Sequence, residues 1–233
     1  MSERGKKFVA ALAKVERSRL YPIEEAVKLV RELKFARFDE TVGLSINLGI
    51  DPKKTEQQVR GTVSLPGGLG KTFKILVFAK GEKAKEAEAA GAQYVGAEDL
   101  VAKVEGGWLD FDVVIVTPDM MGAIGKLGKI LGRRGLMPNP KKGTVTFDVA
   151  AAIKEFSVGK LEVKNDKFGI INIPIGKVSF SEDKLKDNYQ AVLDAVVRLK
   201  PATAKGNYIE KVTISSTMGP GVRVDFRKNI SPG

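Results

Sequence analysis

The sequence predicts a two-domain chain of mixed α/β and α+β class: a discontinuous α+β domain built from both ends, with an α/β domain inserted between them. Three observations predict it. Apolar and polar residues alternate in the first and last thirds, as in strands with one buried face. The middle third sets short apolar runs between helical stretches, the pattern of a parallel sheet covered on both faces. Glycine-bearing breaks at 66–70 and 157–160 separate the two patterns. The expected limits are 1–67 with 160–233 for the terminal domain and 68–159 for the insert.

In chain order, residues 6–15 read as a helix. A second opens at Pro22, a residue favoured in a first helical turn, and puts Ile23, Ala26, Val27, Val30 and Leu33 on one face. Over 41–50, Val42, Leu44, Ile46 and Leu48 alternate with Gly43, Ser45 and Asn47, so a strand with one wet face is expected. Residues 59–65 form a shorter strand. In the middle block, strands at 73–79, 94–95 and 113–116 alternate with helices at 82–90, 99–104 and 119–131. Leu161 and Val163, a turn at 165–167 and the run 170–175 then read as a hairpin. A helix over 182–199, striped by Leu185, Tyr189, Val192, Leu193 and Val196, stops before Pro201. Strands at 208–215 and 222–226 flank a loop at 216–221. Neither end third has enough strands to close a core, so the two are expected to pair with each other.

The 233 residues include no cysteine and no histidine. A thiolate nucleophile, a disulfide, the commonest metal ligand and the commonest general base are therefore missing. An enzyme is disfavoured, and no cofactor or metal site is expected. There is no apolar run of membrane-spanning length and the N-terminus is charged, so neither a span nor a signal peptide is expected. These features point to a soluble, cytoplasmic protein without a membrane partner. The net charge of +11 favours a polyanion. By block the nets are +4 for 1–67, +2 for 68–159 and +5 for 160–233, which makes the terminal domain the first candidate for a nucleic-acid face.

Several motifs carry competing readings. Gly67-Gly68-Leu69-Gly70-Lys71-Thr72 suggests a phosphate loop, but Leu65 stands where that motif needs glycine and a strand follows where it needs a helix; a linker fits better. Gly122, Gly125 and Gly128 fit close packing better than a dinucleotide fingerprint. Asp110, Asp112 and Asp119 flank one strand and lie too far apart for one cluster; Asp119 suits a helix start. The run 120–147 holds Lys126, Lys129, Arg133, Arg134, Lys141 and Lys142 and no acid, either a solvated charge run or a second RNA contact. In Arg37-Phe38-Asp39-Glu40-Thr41, Phe38 either seals the core or stacks on a base. In Thr217-Met218-Gly219-Pro220-Gly221, the residues either make a turn or offer hydroxyl and amide groups to phosphates and 2′-hydroxyls.

These two segments, with Gly49-Ile50-Asp51-Pro52, Val59-Arg60-Gly61-Thr62, the stretch Leu131 to Lys141, Asn165-Asp166-Lys167, Ile173-Pro174-Ile175-Gly176-Lys177 and Lys200-Pro201, resemble the bacterial ribosomal protein L-one family over essentially the whole chain. The resemblance implies a terminal RNA-binding domain with an inserted Rossmann-like, three-layer α/β domain. It also implies binding of 23S ribosomal RNA of the large ribosomal subunit at the mobile stalk beside the tRNA exit site. Help in releasing deacylated exit-site tRNA, and repression through the protein's own messenger RNA, follow from the same likeness, as does a free monomer. The family's RNA surface carries over to Phe38, Thr41, Asp166, Thr217, Met218 and Gly219, with Arg37 and Lys167 beside them. Gly67, Gly68, Gly70 and Gly159 are expected as hinges. Gly67 and Asn172 replace usual histidines, and Arg133 a usual proline. The competing readings are a nucleotide enzyme using the middle domain and a basic scaffold without a specific RNA.

Overall fold

A computed structural model of the chain describes residues 5–227. The chain divides into two compact units, Met1–Gly70 with Leu161–Gly233, and Lys71–Lys160. It opens with α1 (Lys6–Ala13), α2 (Ile23–Glu32), β1 (Thr41–Leu48) and β2 (Arg60–Ser64). The inserted unit follows with β3 (Ile75–Phe78), α3 (Glu82–Ala89), β4 (Tyr94–Gly96), α4 (Glu98–Glu105), β5 (Val113–Val116), α5 (Met121–Gly125), α6 (Gly128–Arg133) and α7 (Val149–Val158). The chain returns through β6 (Lys160–Lys164), β7 (Ile170–Lys177), α8 (Glu182–Arg198), β8 (Ile209–Ser216) and β9 (Val222–Val224).

In the terminal unit the main sheet runs β7-β1-β8-β9, all neighbours antiparallel. The two end thirds do pair: β1, from the first, lies between β7 and β8 of the last. Leu44 faces Ile173 and Ile214, and Ile46 faces Ile171 and Val212, so the alternation in all three strands is in phase. That apolar face is covered by α2 and α8, which bury Val27, Val30, Leu185, Tyr189, Val192 and Val196. Pro22 stands one place earlier than expected, as the extended residue before α2 with φ −56° and ψ 150°. Ser181 caps α8 by accepting from the Lys184 amide.

The expected hairpin at 161–175 closes only at its turn, through the antiparallel Asn165–Ile171 bridge and the Asp166 amide donating to Ile170 O at 2.8 Å. Beyond it β6 leaves β7 and pairs with β2 in a separate two-stranded ribbon. The buried Asn165 side chain explains the divergence, because its Oδ1 accepts from the Val59 amide at 2.8 Å and its Nδ2 donates to Asp166 O at 2.9 Å. The turn is thereby bound to the residue that enters β2.

In the inserted unit the sheet is parallel, in the order β4-β3-β5. Leu76 and Phe78 of β3 pack with Val104, Ile124, Leu127 and Leu131 on one side. Ile75 and Val77 pack with Ala87, Val149, Ile153 and Phe156 on the other. Both faces are covered, giving three layers. The second includes α7, which the sequence reading passed over although Val149, Ala152, Ile153 and Phe156 are spaced as a helical stripe and Asp148 caps it from Oδ1 to the Ala151 amide. The single helix expected over 119–131 is two short ones broken at Lys126–Leu127, where flanking glycines weaken helical continuity. Those glycines are not packing residues either: a Cβ at Gly122, Gly125 or Gly128 would meet nothing within 4 Å. Asp119 makes no side-chain cap. Asp110 and Asp112 pair with Lys74 and Lys71 at 2.7 Å. Among the described residues no group of three or more carboxylates stands where it could hold a metal, and no helix is long and apolar enough to cross a membrane.

Candidate nucleic-acid interface

At one end of the main sheet the start of β1 meets the end of β8. The Thr41 amide donates to Thr217 Oγ1 at 3.0 Å, and the Thr217 hydroxyl donates back to Thr41 O at 3.2 Å. Beneath them the Glu40 side chain is wholly buried. Its Oε1 accepts from the Ala36 amide at 3.0 Å and its Oε2 from the Met218 amide at 3.1 Å. Burial opposes its charge, but the Ser216 hydroxyl and the amides of Ala36, Met218 and Phe35 prevail and hold its pKa below the ordinary value. One carboxylate thus ties the segment before β1 to the loop after β8. Above it Phe38 and Met218 stand 53% and 50% exposed, so Phe38 does not seal the core. Gly219 closes the turn through its amide to Ser216 O at 3.1 Å, and a Cβ there would collide with the Ser216 hydroxyl.

Charge surrounds this end. Lys177 Nζ donates to Thr41 Oγ1 at 2.9 Å, and Arg37 is exposed. Asp39 is held by the Ser179 hydroxyl at 2.7 Å. That bond outweighs a small burial penalty and, with the Ser179 amide, Lys34 and Lys177, lowers its pKa.

Among the described residues of the terminal unit the covering helices lie on the apolar face; the second face carries Gly43, Ser45 and Asn47 of β1, Asn172 and Pro174 of β7, and Thr213 and Ser215 of β8, none of them buried. Ser45 Oγ donates to Asn172 Oδ1 at 2.7 Å near its centre. Asp166 and Lys167 lie at the far end of this face, about 23 Å from Thr41 at ~3.3 Å per residue of β1. The structure therefore brings together Arg37, Phe38, Thr41, Thr217, Met218 and Gly219, and sets Asp166 and Lys167 apart. Asp166 Oδ1 is occupied in its own turn, accepting from the amides of Phe168 and Ile170, each at 2.8 Å. Lys167 lies over the exposed Phe168 ring at 5.1 Å. Asn172 links the two ends. It lines the shallow depression at Thr41 and Thr217, and also a hollow of about 620 Å³ with Arg60, Lys164 and Lys167.

A polar sheet face with hydroxyls at its head and cations at both ends suits a nucleic acid. The family described as ribosomal protein L1p/L10e matches residues 30–220. The chain belongs to that family. It is accordingly a ribosomal RNA-binding protein of the large subunit, in a family of structural RNA-binding proteins rather than enzymes.

Among this family member's other expected residues, Lys126, Lys129, Arg133, Arg134 and Lys141 are exposed, while Lys142 is half-buried and donates to Gly135 O at 3.3 Å. Gly68, Gly70 and Gly159 have φ of +69°, +68° and +126°. Gly67 does not; its amide donates to Asn188 Oδ1 at 2.8 Å, and Asn188 Nδ2 donates to Gly68 O at 2.9 Å. Sequence reasoning missed Lys177 and the Ser45–Asn172 pair as parts of the surface, and Glu40 as the buried group that holds it from beneath. The alternation Gly43-Ser45-Asn47 was the available signal for the pair; nothing local marks Glu40 as inward-facing.

Proposed function

We propose that the protein binds 23S ribosomal RNA at the mobile stalk beside the tRNA exit site and assists release of deacylated tRNA. It also represses its own operon by binding its messenger RNA, and it is a monomer when free. The observation that carries the reading is the pair of half-exposed apolar residues, Phe38 and Met218, standing over the Glu40 clamp at the head of an uncovered polar sheet. RNA with a wide, shallow minor groove lies along that face. Thr41, Ser45, Asn172 and Thr217 address its 2′-hydroxyls and phosphates, while Arg37, Lys177 and Lys167 supply the general attraction. Both RNAs present the same chemistry, so one surface serves both. The hinge between the units begins at Gly70 rather than Gly67, because Asn188 holds Gly67 and Gly68.

In the full chain, Met218→Ala and Thr217→Ala should each weaken binding to a large-subunit RNA fragment by about tenfold, for a loss of roughly 1–3 kcal/mol, without altering the salt dependence. Lys167→Ala should lower the slope of log affinity against log salt by about 0.7–0.9. A Met218→Ala protein with wild-type specific affinity overturns this division of labour.

A further inference from the structure

Among the described residues of the inserted unit, unpaired cations gather in one place; elsewhere Lys85, Lys103 and Lys154 stand singly on α3, α4 and α7. Lys71, Lys74, Lys80 and Lys83 each lie within 2.8 Å of a carboxylate. Among the described residues Lys126, Lys129, Arg133, Arg134 and Lys141 have no carboxylate within 4.0 Å, and the whole stretch 120–147 contains none. The helical stretch that carries the first three buries Met120, Ile124, Leu127 and Leu131. Lys129 and Arg133, four apart on α6, therefore share its solvent side, and Lys126, just before it, is exposed as well. Lys129, Arg133 and Arg134 border a hollow floored by Leu109, Gly128 and Gly132.

We propose that this side is a second RNA contact, a site for the sugar–phosphate backbone of double-helical RNA that does not read bases. It rests on the RNA-binding reading for its class of partner but uses a separate surface. Three features of the patch select that partner. A protein partner needs an apolar anchor, and the one large exposed hydrophobic residue of 120–147 is Phe147, five residues beyond the last cation. A single strand needs several aromatic platforms for its bases, and 120–147 has that one ring and none among the cations. Phosphates need only cations, and paired guanidinium groups suit them best.

The unpaired charge carries the proposal; the glycines determine how near the backbone comes. At Gly122, Gly125 and Gly132 a Cβ would meet nothing within 4 Å, so no packing inside the chain requires glycine there. Each lowers helix stability relative to alanine and leaves bare peptide between the cations, where a phosphate can approach.

The test uses the full chain, with a non-ribosomal RNA duplex of about 20 base pairs, large enough for several phosphate contacts. A large-subunit RNA fragment, deacylated tRNA and polyglutamate serve as parallel ligands. The combined change Lys126→Gln, Lys129→Gln, Arg133→Gln and Arg134→Gln should weaken duplex binding about tenfold or more and lower its salt slope by roughly three. Met218→Ala should leave duplex binding unchanged. Gly122→Ala with Gly125→Ala and Gly132→Ala should raise the melting temperature yet weaken duplex binding. Weakening of tRNA or of ribosomal RNA by the charge changes supports the site and tells which supplies the duplex. Wild-type duplex affinity after the charge changes, or tighter binding of polyglutamate than of duplex, overturns it. Loss of specific large-subunit binding in Met218→Ala with duplex binding intact supports the sheet reading, and loss of duplex binding in the charge variant supports this one, so either can fail without the other.

Discussion

Glu40→Gln is expected to destabilise the protein by about 2–3 kcal/mol and to weaken specific RNA binding. Both carboxylate oxygens accept backbone amides, one from Ala36 and one from Met218. A glutamine has one oxygen, so whichever way it turns its NH₂ faces a backbone N–H. One buried donor is left unpaired, at about 1–3 kcal/mol, and the remaining bond loses its charge. Because the two amides belong to the segments carrying Phe38 and Met218, the same change should loosen the residues proposed to face RNA. Urea unfolding should show a lower midpoint at unchanged m. An unaltered midpoint would mean that the clamp does not hold the loops.

The same carboxylate sets a pH dependence. The folded pKa of Glu40 lies below its ordinary 4.5, and that of Asp39 below 3.8. Protons therefore bind the unfolded chain more readily, and stability rises with pH through this range. The contribution is complete above about pH 5 and is lost as pH falls through the depressed folded values. In Glu40→Gln the acid limb of stability against pH should be shallower than in the wild type. Identical limbs would place the acid sensitivity elsewhere.

Periodicity made most of the fold legible. Val42, Leu44 and Ile46 announced β1, and the pairing of the end thirds followed from their lack of strands. Local pattern failed where a distant partner decides. β6 has the alternation of a hairpin arm, but Asn165 bonds Val59, more than a hundred residues earlier in the chain. In the site, Phe38, Thr41 and Thr217 were legible as unusual loop residues, while Glu40 was not. A carboxylate beside a strand normally faces water, and only the amides of Ala36 and Met218, brought together by tertiary structure, make its burial tolerable. Gly122 and Gly125 read as packing residues because sequence shows a missing side chain, not what stands opposite it.

Asn188→Ala is expected to cost about 3–5 kcal/mol, more than loss of the side-chain volume alone accounts for. Asn188 is fully buried on α8, and its amide satisfies three backbone groups at once. Oδ1 accepts from Gly67 N, and Nδ2 donates to Gly68 O and to Ile175 O, the last at 2.7 Å. Alanine orphans all three at about 1–3 kcal/mol each, reduced where water reaches the linker side. Asn188→Asp separates hydrogen bonding from volume. It keeps the size and the acceptor for Gly67 but sets a carboxylate against two carbonyl oxygens, so it should be at least as damaging as alanine. The close fit of Gly67 makes the same point from the other side: a Cβ there would lie 3.0 Å from Asn188 Oδ1 and 3.2 Å from Lys184 Cβ. Urea midpoints order the variants, and amide exchange at Gly67, whose N–H donates to Asn188 Oδ1, reports the clamp directly. Exchange at Gly67 should accelerate in the alanine variant, and less in the aspartate variant, which keeps its acceptor. An aspartate variant as stable as wild type, or an alanine variant with Gly67 still protected, would show that Asn188 matters through packing, and that the linker before Gly70 is held by something else.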